Sequence, residues 1–143
     1  MNVEAILRAK GRHVATVRTD APVATVVRDL ANKGIGALVV SDDGRTVDGI
    51  ISERDIVQAL AAHGASILGM KVGDIMTRKV ITCTPEDQVA DLMARMTERR
   101  FRHLPVIQDG RLSGIVSIGD LVKNRIDEVE YEATELRNFI VGS

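Results

Sequence analysis

The chain has 143 residues, 45% of them hydrophobic, and a formal net charge of −1. That length suits one compact domain or two small ones sharing a core, and the charge balance argues against a dedicated nucleic-acid surface. No apolar run approaches the ~20 residues that span a bilayer, and Met1-Asn2-Val3-Glu4 begins acidic, so neither a membrane span nor a signal peptide is expected.

Val3, Ile6 and Leu7 recur at helical spacing, which predicts a short amphipathic helix within residues 1–13, stopped by Gly11. Val14-Ala15-Thr16-Val17 reads as a strand. Asp20-Ala21-Pro22 signals the start of a helix, with Val23, Val26, Val27, Leu30 and Ala31 on its apolar face. Lys33-Gly34-Ile35-Gly36 breaks it. Ala37-Leu38-Val39-Val40 is predicted as a buried strand, Asp42-Asp43-Gly44 as a turn and Val47–Ser52 as the paired strand. The helix after Asp55 runs to about Ala62, and residues 63–79 link the halves through a helical turn at 72–77.

The second half repeats this order. Val80–Cys83 is predicted as a strand and Thr84-Pro85-Glu86-Asp87 as a helix start. Val89, Leu92, Met93 and Met96 form the stripe, with the methionines as core filler. Leu104–Ile107 and Leu112–Ser117 flank the turn Gln108-Asp109-Gly110. In the last helix, Ile126, Val129, Ala133, Leu136 and Ile140 recur at 3-4-3-4 spacing, the seam of a coiled coil. Glu128, Glu130, Glu132 and Glu135 lie off that seam. It serves either packing on the chain's own domain or self-association.

The halves are copies. At a spacing of 66 positions Val14 falls on Val80, Thr16 on Thr82, Val23 on Val89, Leu38 on Leu104 and Gly44 on Gly110. From Gly49 the spacing is 65, a turn-length change of the kind loops tolerate. The sharpest match is GIISERD at 49–55 against GIVSIGD at 114–120. Each runs a strand into a helix, with Ser52 or Ser117 at the N-cap and Asp55 or Asp120 three residues on. Such a pair satisfies unpaired helix N–H groups, and a helix N-terminus also suits an anion.

Two such copies with matching flanks resemble the CBS-domain family, over residues 14 to about 123. Asp74-Ile75-Met76-Thr77 is also typical of the segment leading into such a repeat. The resemblance implies an α+β fold. Two β-α-β-β-α repeats, at 14–62 and 80–123, would pack as a pseudo-twofold pair, with a short N-terminal helix and a longer C-terminal one at 124–143. It also implies clefts that bind adenosine compounds, AMP foremost, with ATP, ADP or NAD(H) as alternatives, and a homodimeric disc.

In such clefts a carboxylate accepts from the ribose hydroxyls, which nominates Asp55 and Asp120. The resemblance groups Asp120, Ser117 and Ile118 with Thr16, Gly34, Ile35, Gly36 and Ala37 in one cleft. It groups Asp55, Ser52 and Arg54 with Thr82, Arg100, Phe101, Arg102 and His103 in the other. In another protein built from these repeats, positions matching Arg54, Arg102 and His103 help hold phosphates, and guanidinium groups suit that task. His13 and His63 are expected at the surface.

No nucleophile–base pair, clustered metal set or dinucleotide glycine fingerprint marks an enzyme. Two Phe, one Tyr and no Trp leave no aromatic platform for bases. The single cysteine, Cys83, excludes an internal disulfide and fits a reducing cytoplasm. The reading is a cytoplasmic regulatory module that senses adenine nucleotides and acts on another protein. The alternatives are a dimerisation unit with vestigial clefts, or an RNA- or DNA-binding protein using the Arg cluster.

Overall fold

Alternating apolar residues and Gly-marked turns give each half a β-hairpin, and helices close over its apolar face. The structure, a computed structural model, describes residues 1–142. Its elements are α1 (Val3–Lys10), β1 (Thr16–Val17), α2 (Val23–Lys33), β2 (Ala37–Val40), β3 (Gly49–Ser52) and α3 (Glu53–His63). A 3-10 turn (Gly64–Gly69) and α4 (Val72–Ile75) lead to α5 (Val89–Arg99), β4 (His103–Gln108), β5 (Arg111–Ser117) and α6 (Ile118–Gly142).

Two apolar clusters form, one per repeat. The first gathers Val23, Val26, Leu30, Leu38, Ile51 and Ile56. The second gathers Val89, Leu92, Met96, Leu104, Val116 and Leu121. The predicted stripes are narrower than the periodicity suggested: Val27 is 38% exposed, Ala31 is exposed and Met93 is half-buried.

β1 pairs in parallel with β2, and β2 antiparallel with β3. In the second repeat only β4 and β5 form a sheet. The strand expected at Val80–Cys83 reduces to a single parallel bridge between Cys83 and Val106, so Thr82 lies outside any strand. The reason is one missing donor. In the first repeat the Val39 N–H donates to Ala15 O and the Ser41 N–H to Val17 O. In the second, the Ile107 N–H donates to Cys83 O at 2.8 Å, but the position matching Val39 is Pro105, which has no N–H.

The hairpins turn differently. Asp109 and Gly110 both have positive φ, 53° and 76°, as a two-residue type I′ turn requires. The first copy has a longer loop closed by Asp43. Its carboxylate accepts from the N–H groups of Arg45 and Thr46, both at 2.7 Å, and from Thr46 Oγ1 at 2.9 Å. Those bonds hold the Asp43 carboxyl well below the usual carboxylate range.

The segments that precede the repeats cross over. Helix α1 precedes the first repeat, yet Val3, Ile6 and Leu7 belong to the core of the second. Ile67, Val72 and Met76 precede the second repeat and complete the core of the first. The crossings match bond for bond. The Val3 N–H donates to Asp87 O and the Val89 N–H to Met1 O; the Val72 N–H donates to Ala21 O and the Val23 N–H to Met70 O. Asn2 bridges Gln88 as Lys71 bridges Pro22. Thus α1 is the counterpart of the 71–76 turn rather than an independent N-terminal addition.

Glycine makes both crossings possible. A Cβ at Gly114 would lie 2.7 Å from Leu7 Cδ2, and one at Gly49 would lie 2.8 Å from both Met76 Sδ and Thr77 O. The Thr77 carbonyl facing Gly49 cannot swing aside as a side-chain tip can. Gly49→Ala is therefore expected to destabilise the protein by about 1–3 kcal/mol, read as a lower urea midpoint. Gly69→Ala, with nothing within 4 Å of its Cβ position, serves as the neutral comparison. An unchanged midpoint for Gly49→Ala would show that the 76–77 contact yields freely.

Candidate functional site

Both Ser-x-x-Asp motifs sit where a strand becomes a helix. Ser52 caps α3, and its Oγ accepts from the Asp55 N–H while the Asp55 carboxylate accepts from the Ser52 N–H at 2.9 Å. In the second repeat, Ser117 Oγ accepts from the Asp120 N–H at 3.2 Å, and Asp120 accepts from the Ser117 N–H at 2.9 Å. These are reciprocal capping boxes. They leave part of each carboxylate for other donors, since a carboxylate has about four acceptor positions.

The crossing segments supply those donors, differently in each repeat. In the first, Thr77 pairs its backbone with Ile50, and its Oγ1 donates to Asp55 Oδ1 at 3.0 Å. In the second, the Lys10 ammonium does both jobs. It donates to Ile115 O at 3.1 Å and to Asp120 Oδ2 at 2.7 Å. One carboxylate thus meets a neutral hydroxyl and the other a cation. Burial pushes the Asp120 carboxyl up, but the Lys10 bond, the Ser117 N–H and the Lys10 charge together hold it below the usual carboxylate range.

The slot edges follow the same symmetry. The Glu53 N–H donates to Gly36 O at 3.0 Å, and the Ile118 N–H donates to Arg102 O at 2.8 Å. Ala37 faces Ser52 across the first sheet, and His103 faces Ser117 across the second. Gly34 and Arg100 each end a helix in the left-handed region, with φ of 62° and 57°. That conformation is natural for Gly34 and strained for Arg100. Arg54 crosses between repeats, its Nη1 donating to Arg100 O at 3.0 Å.

Arg54, Arg100, Phe101 and Arg102 line one cavity of about 240 Å³ together with Met96, Thr97 and Ile118. Ile118, which the family resemblance grouped with the opposite cleft, lines this cavity with the arginines, while Thr82 and His103 are outside this lining. Thr16 is exposed at the edge of β1 and Thr82 is half-buried. His103 meets the other slot instead: its Cε1 and Nε2 would each be 3.2 Å from a Cβ at Gly36, with the Glu53 carboxyl also at hand. Burial pushes the His103 imidazole down; Glu53 and Asp120 oppose this, Arg102 and Lys10 add to it, and the result is below the ordinary 6.5.

Lys10, Glu53 and Thr77 escaped the sequence reading. The signal that α1 and the 71–77 segment are counterparts was a second register of 69 positions, in which Asn2, Val3 and Leu7 match Lys71, Val72 and Met76, although it does not align Lys10 with Thr77. Taking α1 as a separate unit hid it. His13 is exposed, and His63 is the exposed last residue of α3 rather than part of a loop.

The CBS domain model matches residues 6–62 and 72–127. The mitochondrial CBS domain-containing protein CBSX3 of Arabidopsis thaliana is 42% identical over 128 residues, 87% of this chain and 62% of the plant protein. A 33.4 kDa protein of the ribosomal RNA operon of Thermofilum pendens is 38% identical over 74% of this chain and 34% of its own length. This chain thus spans less than two thirds of either relative. Among solved structures, the CBS-domain protein ATU1752 from Agrobacterium tumefaciens superposes with a TM-score of 0.84 at 45% identity, covering 87% of this chain and 99% of that one. The CBS domain pair of MJ0100, in complex with 5′-methylthioadenosine and S-adenosylmethionine, superposes with a TM-score of 0.77 at 25% identity, covering 90% and 98%.

The electrostatics of His103 set a pH dependence. Because its folded pKa lies below 6.5, the unfolded chain takes up the proton first as pH falls. The corresponding stability is present above about 6.5 and is lost as pH drops below it. His103→Gln should flatten that part of the stability–pH curve, measured by urea unfolding. A curve of unchanged slope would place the titration elsewhere.

Proposed function

The chain belongs to the CBS domain family, and on that premise we propose that it is a regulatory module that binds an adenine nucleotide between its two repeats and acts on another protein. The observation that carries this reading is the pair of Ser-x-x-Asp boxes, which contribute Arg54 and Ile118 to a cavity also edged by Arg100 and Arg102. Each box presents a carboxylate at a strand–helix junction, where ribose hydroxyls can donate to it. The complex of the MJ0100 pair with two adenosyl compounds supports the ligand class.

The two clefts differ in charge. Asp55 meets the Thr77 hydroxyl and lies in the same repeat as Arg54. Asp120 is already paired with Lys10. A ribose arriving at Asp120 competes with, or is shared with, an ammonium group, whereas one arriving at Asp55 replaces or joins a neutral donor. The Arg-lined cavity suits a phosphate, since guanidinium groups form charge-assisted and bidentate bonds. AMP is the ligand we favour, with ATP, ADP or NAD(H) next. The module is a homodimer in this reading. The half-exposed Val27 of α2 and the matching Met93 of α5 give its helices an apolar face to pair. Its place is a reducing compartment such as the cytoplasm. Among the described residues, no helix is long and apolar enough to cross a membrane.

Calorimetry tests ribose recognition. Asp55→Asn and Asp120→Asn keep an acceptor for the capping box but remove the charge. A charged hydrogen bond contributes about 1.5–3 kcal/mol, so AMP affinity in the affected cleft should fall roughly tenfold to a hundredfold. Unchanged affinity and stoichiometry in both variants would confine these carboxylates to capping.

Phosphate recognition is read by comparing AMP with adenosine. AMP should bind well ahead, and Arg54→Ala or Arg102→Ala should shrink the gap. With the His103 pKa lowered, any gain in AMP affinity from its protonation appears only below the usual range near 6.5. Equal binding of adenosine and AMP would show that the clefts read base and ribose alone.

A further inference from the structure

Helix α6 is a single run of 25 residues, Ile118–Gly142, about 37 Å long at 1.5 Å per residue. Only its first turns touch the body. Leu121 is buried, and Asn124 and Glu128 are half-buried; every residue from Val129 to Gly142 is exposed. Leu121, Asn124 and Glu128 define the line that faces the rest of the chain.

That line is not the apolar seam. Ile126, Val129, Ala133 and Leu136 lie on a stripe roughly 125° around the helix from it, at about 100° per residue. Ile126, Val129 and Leu136 are 51%, 46% and 61% exposed. In heptad terms the seam takes positions a and d, and the body packs against c and f, the outer positions of a two-stranded coil. Intramolecular packing therefore leaves the seam open.

The residues flanking the seam specify what covers it. Arg125 and Glu132 fall at g; Glu130 and Arg137 fall at e. In a parallel, in-register pair, each g residue faces the e residue five positions on in the other helix. Arg125 then meets the partner's Glu130, Glu132 meets the partner's Arg137, and symmetry repeats both contacts. In an antiparallel pair that sets Ile126 against the partner's Leu136, Glu130 meets the partner's Glu130 and Glu132 the partner's Glu132. The parallel register attracts where this antiparallel one repels.

We propose that α6 pairs in parallel and in register with α6 of a second copy of this chain, with Ile126, Val129, Ala133 and Leu136 as the seam and the 125/130 and 132/137 ion pairs setting direction. This rests on the homodimer proposed above and specifies one of its contacts. Arg125 Nη1 lies 3.3 Å from Glu128 Oε2 of its own helix. Its side chain is half exposed, so the exchange to an intermolecular partner needs only a rotamer change.

A charge swap on the full chain tests the proposal. Glu130→Arg with Glu132→Arg makes all four flanking residues positive, and Arg125→Glu with Arg137→Glu makes them all negative. By sedimentation, each double variant alone should dimerise at least tenfold more weakly than the parent chain, and an equimolar mixture should recover as a heterodimer. Leu136→Cys supplies the direction. In a parallel in-register pair it should oxidise to a 136–136 disulfide, lost in the charge-swapped variants. The native Cys83 is buried, and burial pushes its thiol up to about 12, so it does not compete. A parent chain that stays monomeric would overturn the homodimer itself. A stable dimer indifferent to both swaps, or one without the 136–136 disulfide, would overturn only the pairing of α6.

Discussion

Leu7 rests on Gly114, and Met76 rests on Gly49. These two contacts tie the repeats together, because each joins a segment from one side of the chain to the core of the other. Neither half of the sequence contains its own complete core. Val3, Ile6 and Leu7 are sequence neighbours of the first repeat and packing neighbours of the second. Ile67, Val72 and Met76 are the reverse. Burying such side chains stabilises by about 1.5–3 kcal/mol each, and that energy is available only when both repeats are folded and docked. Two small units that would each be marginal thus become one cooperative module.

The same crossing segments finish the candidate site. The chain leaving Met76 delivers the Thr77 hydroxyl to Asp55, and the helix carrying Leu7 delivers the Lys10 ammonium to Asp120. Near-identical motifs therefore sit in different electrostatic settings. The difference comes from the arriving donors rather than from the Ser-x-x-Asp boxes, which cap their helices alike. His103 adds to the asymmetry. The residue matching it is Ala37, so only one repeat places an imidazole near the pseudo-twofold contact, against Gly36.

Symmetry is also broken by Pro105. Without an N–H it leaves Val80–Cys83 as a one-residue bridge, and Thr82 loses the strand position that Thr16 holds on β1. Arg100 and Arg102, which precede that proline in the chain, edge the cavity. Arg100 sits there in a left-handed conformation that costs about 1–2 kcal/mol for a residue with a Cβ. The matching position in the first repeat is a glycine, so that cost is particular to the second.

Much of this was legible in the residues. The repeat at 66 and then 65 positions, the two hairpins and the capping serines and aspartates all rest on local rules. Those rules are strand alternation, turn chemistry and the N-cap preference, and they need no distant partner. Family membership followed from the same local patterns. Other features depended on contacts between residues far apart in the chain. Which core α1 joins, what meets each carboxylate, and that His103 reaches Gly36 are settled only when the repeats dock. The loss of the 80–83 strand depended on a proline more than twenty residues away. The seam of α6 shows the division most plainly. Its 3-4-3-4 spacing was readable in the chain, but spacing alone is compatible with inward or outward packing. Only the tertiary structure, by seating Leu121, Asn124 and Glu128 against the body, decided that the seam faces away, because a helix rotated by one contact line cannot bury both.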